Sequence, residues 1–385
     1  MLVKPNTDTI AKIKVVGIGG GGGNAINTMI SQYNIEGVEF IAVNTDAQAL
    51  KNTLAPIQLQ IGQDLTRGLG VGGDPGVGAQ SAEESVDEIH EHLAGADMVF
   101  ITCGMGGGTG TGAAPVISSI AKNLGALTVA VVTKPFLFEG KRRMDVALEG
   151  IDDLKEKVDT LIVVPNQRLL EIIDKNISFL EAMRRVDEVL AQGVKSISSL
   201  VTQSGFINVD FADVKTIMTD SGSALMGMGS ATGENRAEEA AKEAISSPLL
   251  EMSIDGATGV LLNVIGGQDL SMHEVDVAAQ MIADVVDPTA NIIFGATVEE
   301  DAKDEIRITI LATGFSPSRS VMPTAGLSKM QSASDEKKDD DVLSAKGDVS
   351  KKSQTGKVPV MTDEGNLLDN NGDLEVPAFM RRKDK

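Results

Sequence analysis

Two runs of glycine constrain this chain more than any other feature. The first, Gly17-Ile18-Gly19-Gly20-Gly21-Gly22-Gly23-Asn24, closes the apolar stretch 13–18 and leads into a helical pattern at 25–30. The second, Gly104-Met105-Gly106-Gly107-Gly108-Thr109-Gly110-Thr111-Gly112, follows the apolar run 98–102 and leads into a helix at 113–124. A strand that ends in glycine and turns at once into a helix is half of a βαβ unit. Further apolar runs at 38–43, 127–132 and 160–164, with a helical pattern at 82–93, extend the series. Continuously apolar strands separated by helices predict a parallel sheet covered on both faces.

Glycine at a strand-to-helix junction also has a chemical use. It lets backbone N–H groups turn toward an anion, and the helix N-terminus adds its dipole. Gly17, Gly19 and Gly22 fit G-x-G-x-x-G, and Asp46 ends the second strand near where a ribose-binding acid would sit. Taken alone, that pattern suggests a nicotinamide or flavin nucleotide. A ligand-free tight turn needs one or two glycines, not five in a row. The second run is a second phosphate cradle, with Thr109 and Thr111 as hydroxyl donors. Two cradles facing one crevice suit a longer polyphosphate than a dinucleotide's. No G-x-x-x-x-G-K-[ST] occurs, so a Walker A loop is not expected.

Beyond these units, Leu180, Met183, Leu190, Val194, Ile197 and Val201 recur at helical steps, predicting a long helix over 178–201. So apolar a helix is expected between two domains. A second α/β unit follows, with strands at 259–265, 291–298 and 306–312 and helices at 236–245 and 272–286. Near residue 316 the composition changes to Ser, Lys, Asp and Gly without aromatics. Such a segment cannot bury enough apolar area to offset its ordering entropy. The expected boundaries are a flexible N-terminus 1–11, a nucleotide-binding domain 12–176, a central helix segment 177–203, a second α/β domain 204–316, a disordered linker 317–372 and a terminal peptide 373–385.

The 385 residues carry 34 Lys+Arg against 55 Asp+Glu, a net charge of −21. That surface argues against nucleic acid and against an anionic membrane as direct partners. It also repels a polyanionic ligand, so local backbone dipoles and a bound cation must overcome the mean field. Arg143 is a candidate counter-charge, set against the simpler reading of 141–143 as a solvated basic helix start. The single Cys103 excludes an internal disulfide and fits a reducing cytosol. No apolar h-region opens the chain and no run approaches a membrane span, so neither a signal peptide nor a spanning helix is expected. His90, His92 and His273 show no metal spacing with Cys103. In 205–213, Asp210 and Asp213 share a helix face if a helix starts near Asp210. Paired carboxylates can orient an attacking water, yet Asn208 as N-cap with acids in the first turn explains the same spacing.

The run Gly106-Gly107-Gly108-Thr109-Gly110-Thr111-Gly112 is the signature of the tubulin/FtsZ GTPase family, and the chain resembles that family's bacterial members over about residues 10–316. Asn44-Thr45-Asp46-Ala47-Gln48-Ala49-Leu50, the stretches 104–115 and 131–136, Asn208-Val209-Asp210-Phe211-Ala212-Asp213 and Ser246-Ser247-Pro248-Leu249-Leu250 carry the same resemblance. It implies a tubulin-like fold, with a Rossmann-like GTPase domain, a long central helix and a smaller second α/β domain. It implies a GTPase that assembles head-to-tail into protofilaments and forms the cytokinetic ring, in the cytoplasm under the inner membrane. Gly20, Gly21, Gly22, Gly23, Asn24, Gly107, Gly108 and Thr109 would then hold phosphates. Asn44, Asp46, Gly104, Gly106, Gly110, Thr133 and Pro135 would line the same GTP/GDP site. Glu139 and Arg143 would contact the sugar–phosphate end, and Asn166, Met183 and Asp187 the ribose or guanine. A carboxylate at Asp187 suits guanine's N1–H and N2–H donors. Mg2+ would arrive on the nucleotide. Asn208, Asp210 and Asp213 would reach the nucleotide of the next subunit as catalytic residues. The peptide 374–385 resembles the family's adaptor-binding tail, so contact with membranes would be indirect.

Two positions depart from the family pattern: Met183 stands where Phe is usual against the base, and Gly23 where some members have Asn. Two other function classes remain: a nicotinamide-dependent oxidoreductase, which has no use for the second cradle, and a filament that does not hydrolyse.

Overall fold

The computed structural model describes residues 11–315, except 34, 173–176, 203–206, 208, 251, 300, 301 and 303. All of them belong to one unit, Met1–Val321; the second unit, Met322–Lys385, lies outside the described residues, and with it the expected linker and terminal peptide.

The first half alternates strand and helix: β1 (Ile13–Ile18), α1 (Gly19–Thr28), β2 (Val38–Asn44), α2 (Ala47–Lys51), β3 (Ile57–Gln60), α3 (Gln63–Thr66), α4 (Pro75–Glu84), α5 (Val86–Leu93), β4 (Met98–Gly104), α6 (Thr109–Asn123), β5 (Leu127–Lys134), α7 (Lys141–Lys155), β6 (Thr160–Pro165) and α8 (Asn166–Ile172). Then come α9 (Phe179–Thr202), α10 (Phe211–Met218), β7 (Gly222–Thr232), α11 (Arg236–Ile245), β8 (Gly259–Gly266), α12 (Met272–Ala283), β9 (Asn291–Val298) and β10 (Glu305–Thr313).

The strands form one sheet in the order β3-β2-β1-β4-β5-β6-β7-β10-β8-β9. β1 to β6 are all parallel, as the apolar runs of β1, β2, β4, β5 and β6 suggest; β3, alternating Ile57-Gln58-Leu59-Gln60 at the edge, was not expected. β7 joins the halves: residues 222–224 pair parallel with β6, and 225–232 pair antiparallel with β10. Successive side chains divide between two cores. Val15, Phe100, Val129 and Val131 face one core, while Val16, Ile101, Ala130 and Val132 face the other. The first of these cores contains Val186, Leu190, Val194 and Ile197 of α9, with Ile162 from the parallel strands and Met226, Leu261 and Leu311 from the mixed ones. The long helix is therefore sandwiched as its apolar stripe predicted. A third core lies under α11 and α12.

Several boundaries differ from expectation, for physical reasons. Both helices begin earlier than expected: α1 at Gly19, six residues early, and α6 at Thr109, four residues early, so that only 105–108 of the second run remain a turn. The helix expected at 82–93 is two helices, the first opened by Pro75 behind the N-cap Asp74. β7 was not anticipated, because Gly222-Ser223-Ala224-Leu225-Met226-Gly227-Met228-Gly229 lacks β-branched residues. Gly227 and Gly229 are required there: a methyl on either would collide with the backbone of α11 at Ala244 and Ala240.

Candidate functional site

The strand order reverses between β1 and β4, since β2 and β3 lie on one side and β5 and β6 on the other. In an open parallel sheet that reversal opens a crevice at the carboxyl ends of the strands. Both glycine runs leave their strands at this point. They touch: a methyl on Gly19 would sit 3.1 Å from the amide nitrogen of Gly110, and one on Gly21 3.3 Å from that of Gly104. The Thr45 and Thr109 hydroxyls are buried and 2.8 Å apart, tying the end of β2 to the start of α6.

The glycines divide by what surrounds them. Gly17 and Gly22 serve packing. A methyl on Gly22 would lie 2.5 Å from the carbonyl oxygen of Thr102, and one on Gly17 would meet the carbonyl of Gly22. Gly106, Gly108 and Gly110 are packed as well, Gly106 against Arg143 of α7 and Gly108 against Val71. Gly20, Gly23 and Gly107 face open space, where an added methyl would meet nothing within 4 Å. These three surround the place an anion would take, at two helix N-termini whose first N–H groups have no partner in their own helix. A cavity of about 190 Å³ continues from it between α1 and α2, lined by Gly20, Gly23, Asn24 and Asn44.

The remaining predicted residues gather around the same crevice. Arg143 reaches Glu139 at 3.0 Å, and the other Glu139 oxygen accepts the Phe136 N–H at 2.8 Å, so the counter-charge is pre-oriented. Thr133 is buried and its carbonyl holds the Met105 N–H at 2.9 Å; Pro135 is buried beside it. Asn44 is buried, with its side-chain oxygen on the Asp46 N–H at 3.2 Å. Asp46 itself is the N-cap of α2, accepting the N–H groups of Gln48 and Ala49 at 2.8 and 3.2 Å. Its Oδ1 caps the helix, which explains an acid at this position without a nicotinamide nucleotide.

On the other side of α1, α8 and α9 supply Asn166, Met183 and Asp187. Asn166 is 7% exposed and its Oδ1 has no hydrogen-bond partner among the described residues. A buried amide oxygen left unpaired is costly unless a ligand donates to it. Burial, with the Glu188 charge adding to it, pushes the Asp187 carboxyl up to about 7. Such a carboxyl gains most from a ligand that presents N–H donors. Met183 is partly buried against the core, an apolar surface next to that acid. For Mg2+, the described residues hold no group of three or more His, Cys, Asp or Glu that could ligate a metal.

Asp210 and Asp213 are elsewhere. Both are exposed; Asp210 is the N-cap of α10, accepting the Ala212 N–H at 3.2 Å, and Asp213 lies in its first turn. The cap is Asp210, not Asn208, which lies outside the described residues. The C-terminal turn of α10 is held at the amino end of β6, where the Thr160 hydroxyl donates to the Met218 carbonyl at 2.6 Å. The glycine runs leave the carboxyl ends of the strands. Along α9, Asp187 and Thr202 are fifteen residues apart, about 22 Å at 1.5 Å per residue. The cradles thus leave the carboxyl ends of the parallel strands, while the helix that carries the paired acids is anchored at the amino end of β6.

Sequence reasoning missed the segment 68–74. Gly68, Gly70, Gly72 and Gly73 have positive φ, Val71 presses on Gly108, and Asp74 caps α4 by accepting the Gly76 N–H. A third glycine cluster, closed by Asp-Pro, was the available signal. It also missed an exposed apolar patch at the start of α9, where Leu137, Phe138, Phe179 and Leu180 are 62–69% exposed and the rings of Phe138 and Phe179 lie 6.3 Å apart.

Comparison with known proteins is consistent with this geometry. Residues 12–174 match the model of the Tubulin/FtsZ family, GTPase domain, and residues 222–316 that of the FtsZ family, C-terminal domain. An empty FtsZ dimer from M. jannaschii is 49% identical with a TM-score of 0.77, over 80% of this chain and 89% of that one. CetZ1 of Haloferax volcanii, a GDP-bound monomer, and CetZ2, a GTPγS-bound protofilament, share the fold at 23% identity, with TM-scores of 0.69 and 0.68 over 80% of this chain and 95% and 94% of theirs.

Proposed function

The chain belongs to the tubulin/FtsZ family of GTPases, and on that premise we propose that it polymerises head-to-tail, each GTP being hydrolysed between two subunits. In this reading Gly20, Gly21, Gly23, Asn24, Gly104, Gly107 and Thr109 cradle the phosphates with Arg143 as counter-charge, and Gly22, Gly106, Gly108 and Gly110 complete the cradle through their backbone while packing it against its neighbours. Asn166 and Asp187 accept hydrogen bonds from the ribose and guanine, with Met183 covering the base. Mg2+ neutralises charge on the phosphates. Asp210 and Asp213, with Asn208, come from the next subunit and orient the attacking water. The phosphoryl group has little covalent chemistry to be helped with, so positioning and charge are the protein's contribution.

One observation supports the shared site: the cradles of a chain leave the carboxyl ends of the parallel strands, whereas the helix carrying its own acids is anchored at the amino end of β6. The exposed Leu137–Phe138–Phe179–Leu180 patch beside the cradle favours self-association, and among the relatives are a dimer and a protofilament. The biological reading follows the family: a cell-division filament, cytoplasmic, forming a ring at the division site under the inner membrane. Its adaptors would bind the peptide 374–385, with Phe379 as anchor. No helix among the described residues is long and apolar enough to cross a membrane, so adaptors would supply the attachment. Nucleic acid has no part in it.

Turnover per subunit measured against protein concentration tests the shared site. Activity should rise above a threshold, and Asp213→Ala should bind GTP and assemble but turn over about 10²–10⁴-fold more slowly. A turnover number that stays constant down to fully monomeric protein would sink it.

A further inference from the structure

Lys122 stands in the last turn of α6 and its ammonium reaches acceptors outside that helix. They are Asp220 Oδ1 at 2.7 Å, Asp159 Oδ1 at 3.1 Å and the Val158 carbonyl at 3.5 Å. Asp159 is buried, and its second oxygen accepts the Thr128 N–H at 2.9 Å, fixing it between the amino ends of β5 and β6. Asp220 lies two residues beyond α10 in a left-handed conformation, φ 48°, and its N–H points to Asp159 at 3.4 Å. The Thr160 hydroxyl adds contacts to the Met218 carbonyl at 2.6 Å and the Ser221 hydroxyl at 2.9 Å. The hydrogen bond from Lys122 and its charge hold Asp220 below the usual carboxylate range. On Lys122 itself burial acts downward, but the hydrogen bonds to Asp220 and Asp159 outweigh it and the net shift is upward.

The geometry of the two ends of α6 makes this more than a surface ion pair. Its first residue, Thr109, belongs to the proposed phosphate cradle; its last turn holds the end of α10, which has Asp210 as its N-cap and Asp213 in its first turn. Fifteen helical residues make a rod of about 22 Å. We propose that Lys122 is a positioning residue for hydrolysis on the adjacent subunit: through Asp159 and Asp220 it fixes α10, and with it Asp210 and Asp213, relative to the chain's own cradle. The inference rests on the shared-site reading. It adds that the span between a chain's two half-sites is set by α6 and its terminal lysine. In a head-to-tail filament that span decides whether donated acids meet the next nucleotide, and a shift of about 1 Å in such a group can cost about 10²-fold.

Full-length variants assayed alone and in equimolar pairs, above the assembly threshold, test it. Lys122→Met should bind GTP and assemble as the parent does, with turnover per subunit lowered about tenfold, and Lys122→Arg should recover most of the loss. Mixed with Arg143→Ala, whose acids are intact but whose cradle is impaired, Lys122→Met supplies the good cradle, and activity should rise above that of either alone. Mixed with Asp213→Ala it should not, because both fail on the same face. Recovery with Asp213→Ala but not with Arg143→Ala would place the defect in the cradle and overturn the proposal, as would unchanged turnover of Lys122→Met. The pair Asp213→Ala and Arg143→Ala is the reference: if these two fail to complement, the shared site itself is wrong and the proposal falls with it. Should Lys122→Met not fold, Asp220→Asn takes its place in the same pairings with the same outcomes. Asp220 is exposed, and asparagine tolerates its left-handed backbone.

Discussion

Asp187 shows how much one residue's surroundings decide. A carboxyl held near 7 by burial is protonated in much of the free protein below that pH. In the proposed site a guanine base offers two N–H donors and needs the ionised form, so binding would release the proton. The affinity for GTP should therefore strengthen about tenfold per pH unit from 5 to 7 and level off above. Folding responds with the opposite sign. Between the ordinary carboxylate range and about 7 the native state holds a proton the unfolded chain lacks, so this group's contribution to stability declines as pH rises through that window. Asp187→Asn should weaken GTP by about 10–100-fold, the worth of hydrogen bonds to a charged group, and should flatten the pH dependence. Titration calorimetry on dilute, unassembled protein reads both; an unaltered slope in Asp187→Asn would show that another group carries the proton. None of this was legible from spacing. Asp187 and Asn166 entered by family resemblance, because a buried orphan oxygen and a desolvated acid are properties of the folded neighbourhood.

At the scale of elements, the glycine runs were legible as cradles, but the helices they open start four to six residues earlier than the pattern suggests. Helix propensity argues against five consecutive glycines in a helix, by about 1 kcal/mol each. Tertiary packing overrides it here: α1 lies so close to β4 that Gly22 touches Thr102. The run therefore mixes two jobs that alanine substitutions separate. Gly22→Ala must overlap a backbone carbonyl and should destabilise the fold by about 1–3 kcal/mol, with loss of GTP binding as a consequence. Gly23→Ala meets open space within a helix, so it should raise stability by up to about 1 kcal/mol while weakening GTP where the ligand takes that space. Thermal melts with and without GTP distinguish them; parallel loss of melting temperature in both variants would mean that Gly23 also serves packing. The parallel strands and α9 were readable because their apolar patterns are strong. β7 was not, since its small residues become a strand only between β6 and β10.

For the whole molecule, charge is the quantity that sequence alone supplies and assembly must answer. Residues 317–385 contribute nothing net, −1 from 317–372 and +1 from 373–385, so the entire −21 sits on residues 1–316. The proposed head-to-tail contact would bring two such bodies together and set Asp210 and Asp213 against a polyphosphate. These repulsions differ in range. The body-to-body term acts through solvent, and its Debye length shrinks from about 30 Å at 0.01 M salt to about 8 Å at 0.15 M. The contact between acids and phosphates is partly shut off from solvent and is screened much less. Monovalent salt and a divalent cation should therefore act on separate steps. With Mg2+ present, raising salt across that range should lower the critical concentration several-fold, the reverse of an interface held by exposed ion pairs. With EDTA instead, no amount of monovalent salt should restore concentration-dependent turnover, because the local repulsion is still in place. Light scattering and GTP turnover over a salt series, with and without the divalent ion, read the two terms together. A critical concentration that climbs steadily with salt would mean that attractive charge pairs dominate the contact. Full turnover in EDTA would mean that the acids do not face the phosphates at all.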